Sequence, residues 1–153
     1  MKALEHKIPP PLVGVLCALL AWALAALTPA WRIDGEWRLP MAAVLLAAGL
    51  ALDGWALLLF RRQRTTPSPL APGRSRTVVQ SGPYRFTRNP MYLGVALLLA
   101  ALCLWLGSPL SLLAIAAFVA YITRFQIQPE ERALRAKFGA PYEDYCRRVR
   151  RWL

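Results

Sequence analysis

Residues 81–94 read Ser81-Gly82-Pro83-Tyr84-Arg85-Phe86-Thr87-Arg88-Asn89-Pro90-Met91-Tyr92-Leu93-Gly94. A glycine-proline turn, two phenols and two guanidinium groups therefore stand directly against the start of a long apolar run. Asn89 followed by Pro90 marks a helix start. An asparagine side chain can accept an orphan backbone N–H, and proline lacks that N–H and already has helical φ. The positive end of the helix dipole then points at Arg88 and Tyr84, a polarity that attracts a carboxylate or phosphate. Taken alone, the stretch also fits a capped membrane helix with snorkelling arginines.

A second polar patch begins at Pro129-Glu130-Glu131. Proline again opens a helix here, and Gly139 closes it, with Ala133, Leu134 and Phe138 forming one apolar side. Acids in a first helical turn are favoured by the dipole by about 0.3–1 kcal/mol each. The pair is thus either a functional carboxylate site or a helix-starting charge. Pro141 opens a further helix, in which Tyr142, Tyr145, Val149 and Trp152 recur at helical spacing among Arg147, Arg148, Arg150 and Arg151. Such a basic amphipathic helix is expected along a membrane surface.

The elements that must position these patches are apolar spans. The hydrophobic fraction is 57% and falls in long blocks, so lipid takes up much of that surface. Residues 12–30, 40–60, 90–106 and 110–127 are each close to the length needed for about 30 Å of hydrocarbon. This predicts an all-α integral membrane protein with four transmembrane helices. The last two form a C-terminal helical hairpin turned at Gly107-Ser108-Pro109, followed by cytoplasmic amphipathic tail helices. The whole chain, residues 1–153, reads as a single membrane domain. The first span reads as retained rather than cleaved, because it is too long for a signal peptide and lacks a small-residue cleavage site.

Nineteen Lys and Arg against eight Asp and Glu give a net charge of +11. Seven of those basic residues lie between Arg61 and Arg88 and eight between Arg124 and Arg151. Basic residues beside apolar spans mark the cytoplasmic side, so both termini and both polar patches are placed there. Clusters in that position are explained by topology and anionic lipid headgroups rather than nucleic acid. The segment after the second span, residues 65–79, carries Pro67, Pro69, Pro72 and Gly73 and is expected to be a cytoplasmic loop.

Asp53, inside the second span, is costly there unless paired, protonated or facing a wet cavity. It lies about 12 Å below Arg61, shallow enough to line a cytoplasmic pocket or to serve only in packing. Cys17, Cys103 and Cys146 have no metal-ligand spacing, and no metal is expected.

A two-span hairpin returns residues 74–94 and 124–145 to the same face. One contributes arginines, phenols and a helix start, and the other contributes carboxylates. The run Arg76-Thr77-Val78-Val79-Gln80-Ser81-Gly82-Pro83-Tyr84 through Asn89-Pro90-Met91-Tyr92-Leu93-Gly94 resembles the signature of the isoprenylcysteine carboxyl methyltransferase family. The likeness continues in Glu130-Glu131-Arg132-Ala133-Leu134, Lys137-Phe138-Gly139 and Tyr142-Glu143-Asp144-Tyr145. The wider superfamily includes phospholipid N-methyltransferases.

That resemblance implies an integral membrane methyltransferase using S-adenosylmethionine, bound at the cytoplasmic helix ends rather than in a Rossmann domain. Carried over by position, the cofactor contacts are Arg76, Thr77, Val78, Val79, Tyr84, Asn89, Pro90, Tyr92, Gly94, Glu130 and Glu131. Position 89 is usually histidine in the best-known members and is asparagine here. The substrate-side arginine falls near Gln126, so Arg124, with Arg88, becomes the candidate to steady an anionic group. The implied acceptor is a lipid or hydrophobic small molecule entering from the bilayer, methylated at a carboxylate. The alternatives are a lipid amine acceptor, or a non-catalytic membrane scaffold. From its arginine-rich composition and short length the chain is expected in a bacterial inner membrane.

Overall fold

The computed structural model describes residues 7–62 and 80–153. The expected loop at residues 65–79, with Arg76, Thr77, Val78 and Val79, lies outside the described residues. Among those described the chain is all-helical, with six α-helices: α1 (Pro10–Leu27), α2 (Arg38–Arg62), α3 (Pro90–Leu106), α4 (Leu112–Ile122), α5 (Gln128–Phe138) and α6 (Ala140–Arg148). Prolines occupy the first turns of α1, α3, α5 and α6, where a missing N–H costs nothing. Gly107 ends α3 with φ of 69°, a left-handed conformation that glycine adopts without steric cost.

Among the described residues three helical stretches are long and apolar enough to cross a membrane: Pro10–Leu27, Arg38–Leu59 and Pro109–Phe138, the last of which turns polar after Ile127. α3, at 17 residues, is apolar but shorter. Leu16, Leu19 and Trp22 of α1 and Val44, Leu46 and Leu50 of α2 are exposed, as suits side chains facing lipid. The protein is an integral membrane protein.

Helix packing is set by small residues. Val13, Cys17, Ala21 and Ala25, each four apart, form the face of α1 that packs with Leu99, Cys103, Phe118 and Ile122 of α3 and α4. α2 meets α3 through glycines. A Cβ on Gly49 would lie 2.9 Å from the Gly94 carbonyl oxygen, and one on Gly94 would overlap the Asp53 carboxylate. Glycine is what lets these two helices approach so closely.

At one end, Arg38 ties the α1–α2 loop to the end of α3. Its guanidinium donates to the carbonyls of Leu104 (3.0 Å), Trp105 (2.8 Å) and Ile33 (2.7 Å). The Trp105 carbonyl is one that the end of a helix leaves without a partner, the Leu104 carbonyl also accepts from the Gly107 N–H at 3.1 Å, and a cation there suits the dipole. Ile33 N–H to Gly107 carbonyl, 2.8 Å, completes the junction.

Three local expectations need correction. The helix expected to begin afresh at Pro129 is continuous with the one before it, through a π-helical turn at Thr123–Ile127. The Gln128 N–H bonds to the Thr123 carbonyl, a five-residue step. That wider turn relieves the clash proline makes with the turn before it, so the helix runs on through Pro129 instead of ending there. Asn89 does occupy the N-cap position of α3, but its side chain makes no cap bond and donates instead to the Arg151 carbonyl at 2.8 Å. The last amphipathic helix ends at Arg148. Val149 is extended (φ −124°, ψ 130°), and the following residues turn back toward Arg88.

Candidate functional site

The two polar patches meet at the other end of the bundle. The Arg88 N–H donates to the Arg150 carbonyl at 3.0 Å, and the Tyr145 hydroxyl donates to the Tyr84 carbonyl at 2.8 Å. The hairpin of α3 and α4 therefore does return both ends to one face. Gln126, fully buried in the π-helical turn, adds the start of α1 to this end through a 2.7 Å bond from its amide to the Ile8 carbonyl.

Tyr84 sits in a 3-10 turn, Gly82–Arg85, that opens on Gly82 with φ of 59°. Its ring is buried against Ala56 of α2, with Leu59 and Met91 alongside. Burial first, then the charges of Glu130, Tyr145 and Asp53, push its phenol well above the usual range, so Tyr84 stays protonated and can donate. Tyr92, two turns of chain further on, is buried in the face of α3 that meets α1 and α4. The Glu130 carboxylate is within electrostatic reach of both phenols. Asp53 reaches the same group, and its Oδ1 is buried without a hydrogen-bond partner among the described residues.

The adjacent glutamates have different surroundings. Glu131 is 4% exposed and saturated with cations. Arg151 grips it through two bonds of 2.9 and 2.8 Å, Arg88 lies at 3.2 Å, and Arg135 at 3.9 Å. The bond to Glu131 is also the main reason the Arg151 guanidinium holds its proton more firmly than usual. Glu130 is half-buried and has no ion pair among the described residues. The apolar part of its helix ends at Ile127, so Glu130 lies beyond the bilayer-crossing stretch. Burial first, then the neighbouring Glu131 charge, push its carboxyl up to about 7.

The remaining candidates divide by position. Pro90 is buried at the start of α3, and Gly94 lies in the α2–α3 seam against Asp53. Asn89 is turned to the Arg151 carbonyl. Arg88 is directed at Glu131 and at the Cys146 thiol. Arg124, in the π-helical turn, donates to Gln128 at 3.4 Å and lies 5.8 Å from the Phe125 ring centre. Arg76 through Val79 lie outside the described residues. Sequence reasoning gave Thr87 no role and placed Arg151 and Trp152 only on a basic amphipathic helix, whereas all three hold this end together. Arg151 lies 20 residues from Glu131, and no local spacing signals such a pair.

An uncompensated carboxylate, an orphaned carboxylate oxygen and two buried phenols fit a ligand that carries positive charge and hydroxyl groups. S-adenosylmethionine has both. Among the described residues no group of three His, Cys, Asp or Glu side chains is placed to hold a metal ion.

The fold and site define a membrane-embedded helical bundle whose polar chemistry is gathered at one end. Residues 37–141 match the phospholipid methyltransferase family, and the chain belongs to that family. The resemblance to the isoprenylcysteine carboxyl methyltransferases agrees with this, since they fall in the same superfamily. A protein of Haemophilus influenzae described only as uncharacterized is 48% identical over 63 residues, covering 41% of this chain and all of the relative.

Proposed function

We propose that the protein is an S-adenosylmethionine-dependent methyltransferase that acts on a lipid-like acceptor at a cytoplasmic membrane face. The observation that carries the reading is that the segment holding Tyr84 and Tyr92 is tied to the segments holding Glu130 and Tyr145, through the Arg88–Glu131 ion pair and the Tyr145–Tyr84 hydrogen bond. Four spans are inferred, with α3 as the shortest, and both termini on the side of the site in a bacterial inner membrane. The basic residues flanking that end support this orientation.

S-adenosylmethionine, when bound, supplies a methyl group on a positively charged sulfur. Glu130 would accept hydrogen bonds from ligand hydroxyls and offset that charge, and Tyr84 and Tyr92 would donate or pack beside it. Asn89, Pro90 and Gly94 shape the start of α3, and Arg76 to Val79 are proposed to complete the cofactor contacts. The chain's work in such a displacement is alignment of donor and acceptor and exclusion of water. No side chain need form a covalent bond to the acceptor.

The acceptor is read as a carboxylate on a hydrophobic molecule entering sideways from the bilayer, steadied by Arg124 or Arg88. An amine headgroup is the second reading, favoured by the Asp53 oxygen that has no hydrogen-bond partner among the described residues. Incubation of the purified protein with methyl-labelled cofactor and membrane lipids, followed by extraction, tests both. Label released as methanol in alkali marks a methyl ester, whereas label retained in the lipid marks N-methylation. A purified protein that neither binds the cofactor in calorimetry nor labels lipid is not this enzyme.

A further inference from the structure

After α6 the chain does not lie out along the bilayer but doubles back. Its five residues, 149–153, bond to the loop before α3, to α5 and to the π-helical turn. The Arg150 carbonyl accepts from the Arg88 N–H at 3.0 Å. The Arg151 carbonyl accepts from the Thr87 hydroxyl at 3.3 Å and from the Asn89 amide at 2.8 Å. The Arg151 guanidinium grips Glu131 of α5, and the Trp152 indole donates to Thr123 in the π-helical turn at 3.1 Å. Thr87 is itself buried, and its hydroxyl accepts from the Asn89 N–H at 3.2 Å.

We infer that residues 149–153 form a strap that assembles the cofactor site, and that Arg151 is its positioning residue. The inference rests on the methyltransferase reading and adds to it a part of the chain outside the two motif blocks. The physical reason is the contrast between the two glutamates. Residues 87–89 lead into α3 and are held to the strap by three hydrogen bonds, so its loss frees the loop that follows Tyr84. With Arg151 in place, Glu131 has its charge fully compensated and anchors α5 to that loop through Arg88. Glu130, one residue earlier on α5, is then held in position with no cation partner among the described residues. Arg151 thereby fixes which of two adjacent carboxylates is available to a ligand. A buried ion pair of this kind costs much when one partner is removed, because the other is left uncompensated.

The test uses the full chain in detergent with two readouts. The first is S-adenosylmethionine affinity by calorimetry. The second needs no ligand. Cys146 contacts Arg88 and is the one cysteine of the three that is not buried. Its maleimide labelling rate therefore reports whether Arg88 is held in place. Arg151→Ala is expected to weaken cofactor binding more than about tenfold and to speed Cys146 labelling, with Arg151→Lys restoring part of both. Trp152→Phe, which removes the indole N–H together with the five-membered ring while keeping an aromatic group, keeps the question answerable if Arg151→Ala does not fold, and is expected to move both readouts in the same direction by a smaller factor. Wild-type affinity in Arg151→Ala, or unchanged labelling in a folded Arg151→Ala or Trp152→Phe protein, overturns the strap. If wild type itself fails to bind the cofactor, the positioning role falls with the methyltransferase reading. Faster labelling in Arg151→Ala would then show that the functional reading failed rather than the strap's hold on residues 87–89.

Discussion

The Tyr145 hydroxyl on α6 donates to the main-chain carbonyl of Tyr84, 61 residues earlier, at 2.8 Å, with both tyrosines buried. This bond joins the two polar patches directly. Tyr145→Phe keeps the ring and leaves the Tyr84 carbonyl without that donor, which costs roughly 1–3 kcal/mol for a buried acceptor. A lower melting temperature in detergent, together with weaker cofactor binding, is the expected result. A variant that melts like wild type would mean that water replaces the hydroxyl freely.

Glu130 makes the site pH-dependent, and the sign follows from its surroundings. Its carboxyl is raised from 4.5 to about 7 in the folded protein. Its ionised form is therefore penalised there, and this group's contribution to stability becomes unfavourable as pH rises from about 4.5 toward 7. A ligand that needs the carboxylate should bind more tightly as pH rises through that window and level off above it. Calorimetry from about pH 6 to about pH 8 on wild type and Glu130→Gln checks both halves. Glu130→Gln is expected to bind weakly at every pH while melting no lower than wild type near neutrality.

The α2–α3 seam predicts a coupled pair. Gly94→Ala places a methyl group where the Asp53 carboxylate stands, and overpacking of this kind costs about 1–3 kcal/mol. Asp53→Ala removes the obstacle, so Gly94→Ala should cost distinctly less in that background. A double-mutant cycle read by thermal melting gives the coupling directly. Additive effects would mean that the seam opens by moving helices rather than side chains.

Arg38 provides the control at the far end of the bundle. Its side chain is 15% exposed and donates to three carbonyls, two of them at the end of α3. Arg38→Ala should lower stability by about 2–4 kcal/mol, seen as a lower melting temperature. Cofactor affinity per folded molecule should stay at the wild-type value. A selective loss of affinity would tie the two ends of the bundle together.

The sequence by itself determined where the helices lie and what chemistry they carry. Long uncharged runs, prolines in first turns and glycines at Gly107 and Gly139 act within a single helical turn or a single span, so they are legible one position after another. They located α3 at Pro90, ended α5 at Gly139 and set the phenols and carboxylates on one face. Tertiary structure decided how those groups are used. It gave Glu131 its guanidinium partners and Glu130 none among the described residues, turned Asn89 from capping α3 to holding Arg151, carried the Pro129 helix through a π-helical turn, and folded residues 149–153 back across the site. Apart from the π-helical turn, these depend on pairs up to 64 residues apart. A carboxylate's or an amide's choice among such partners is set by which backbones the packed helices bring within 3 Å, and that distance is written nowhere in the local pattern.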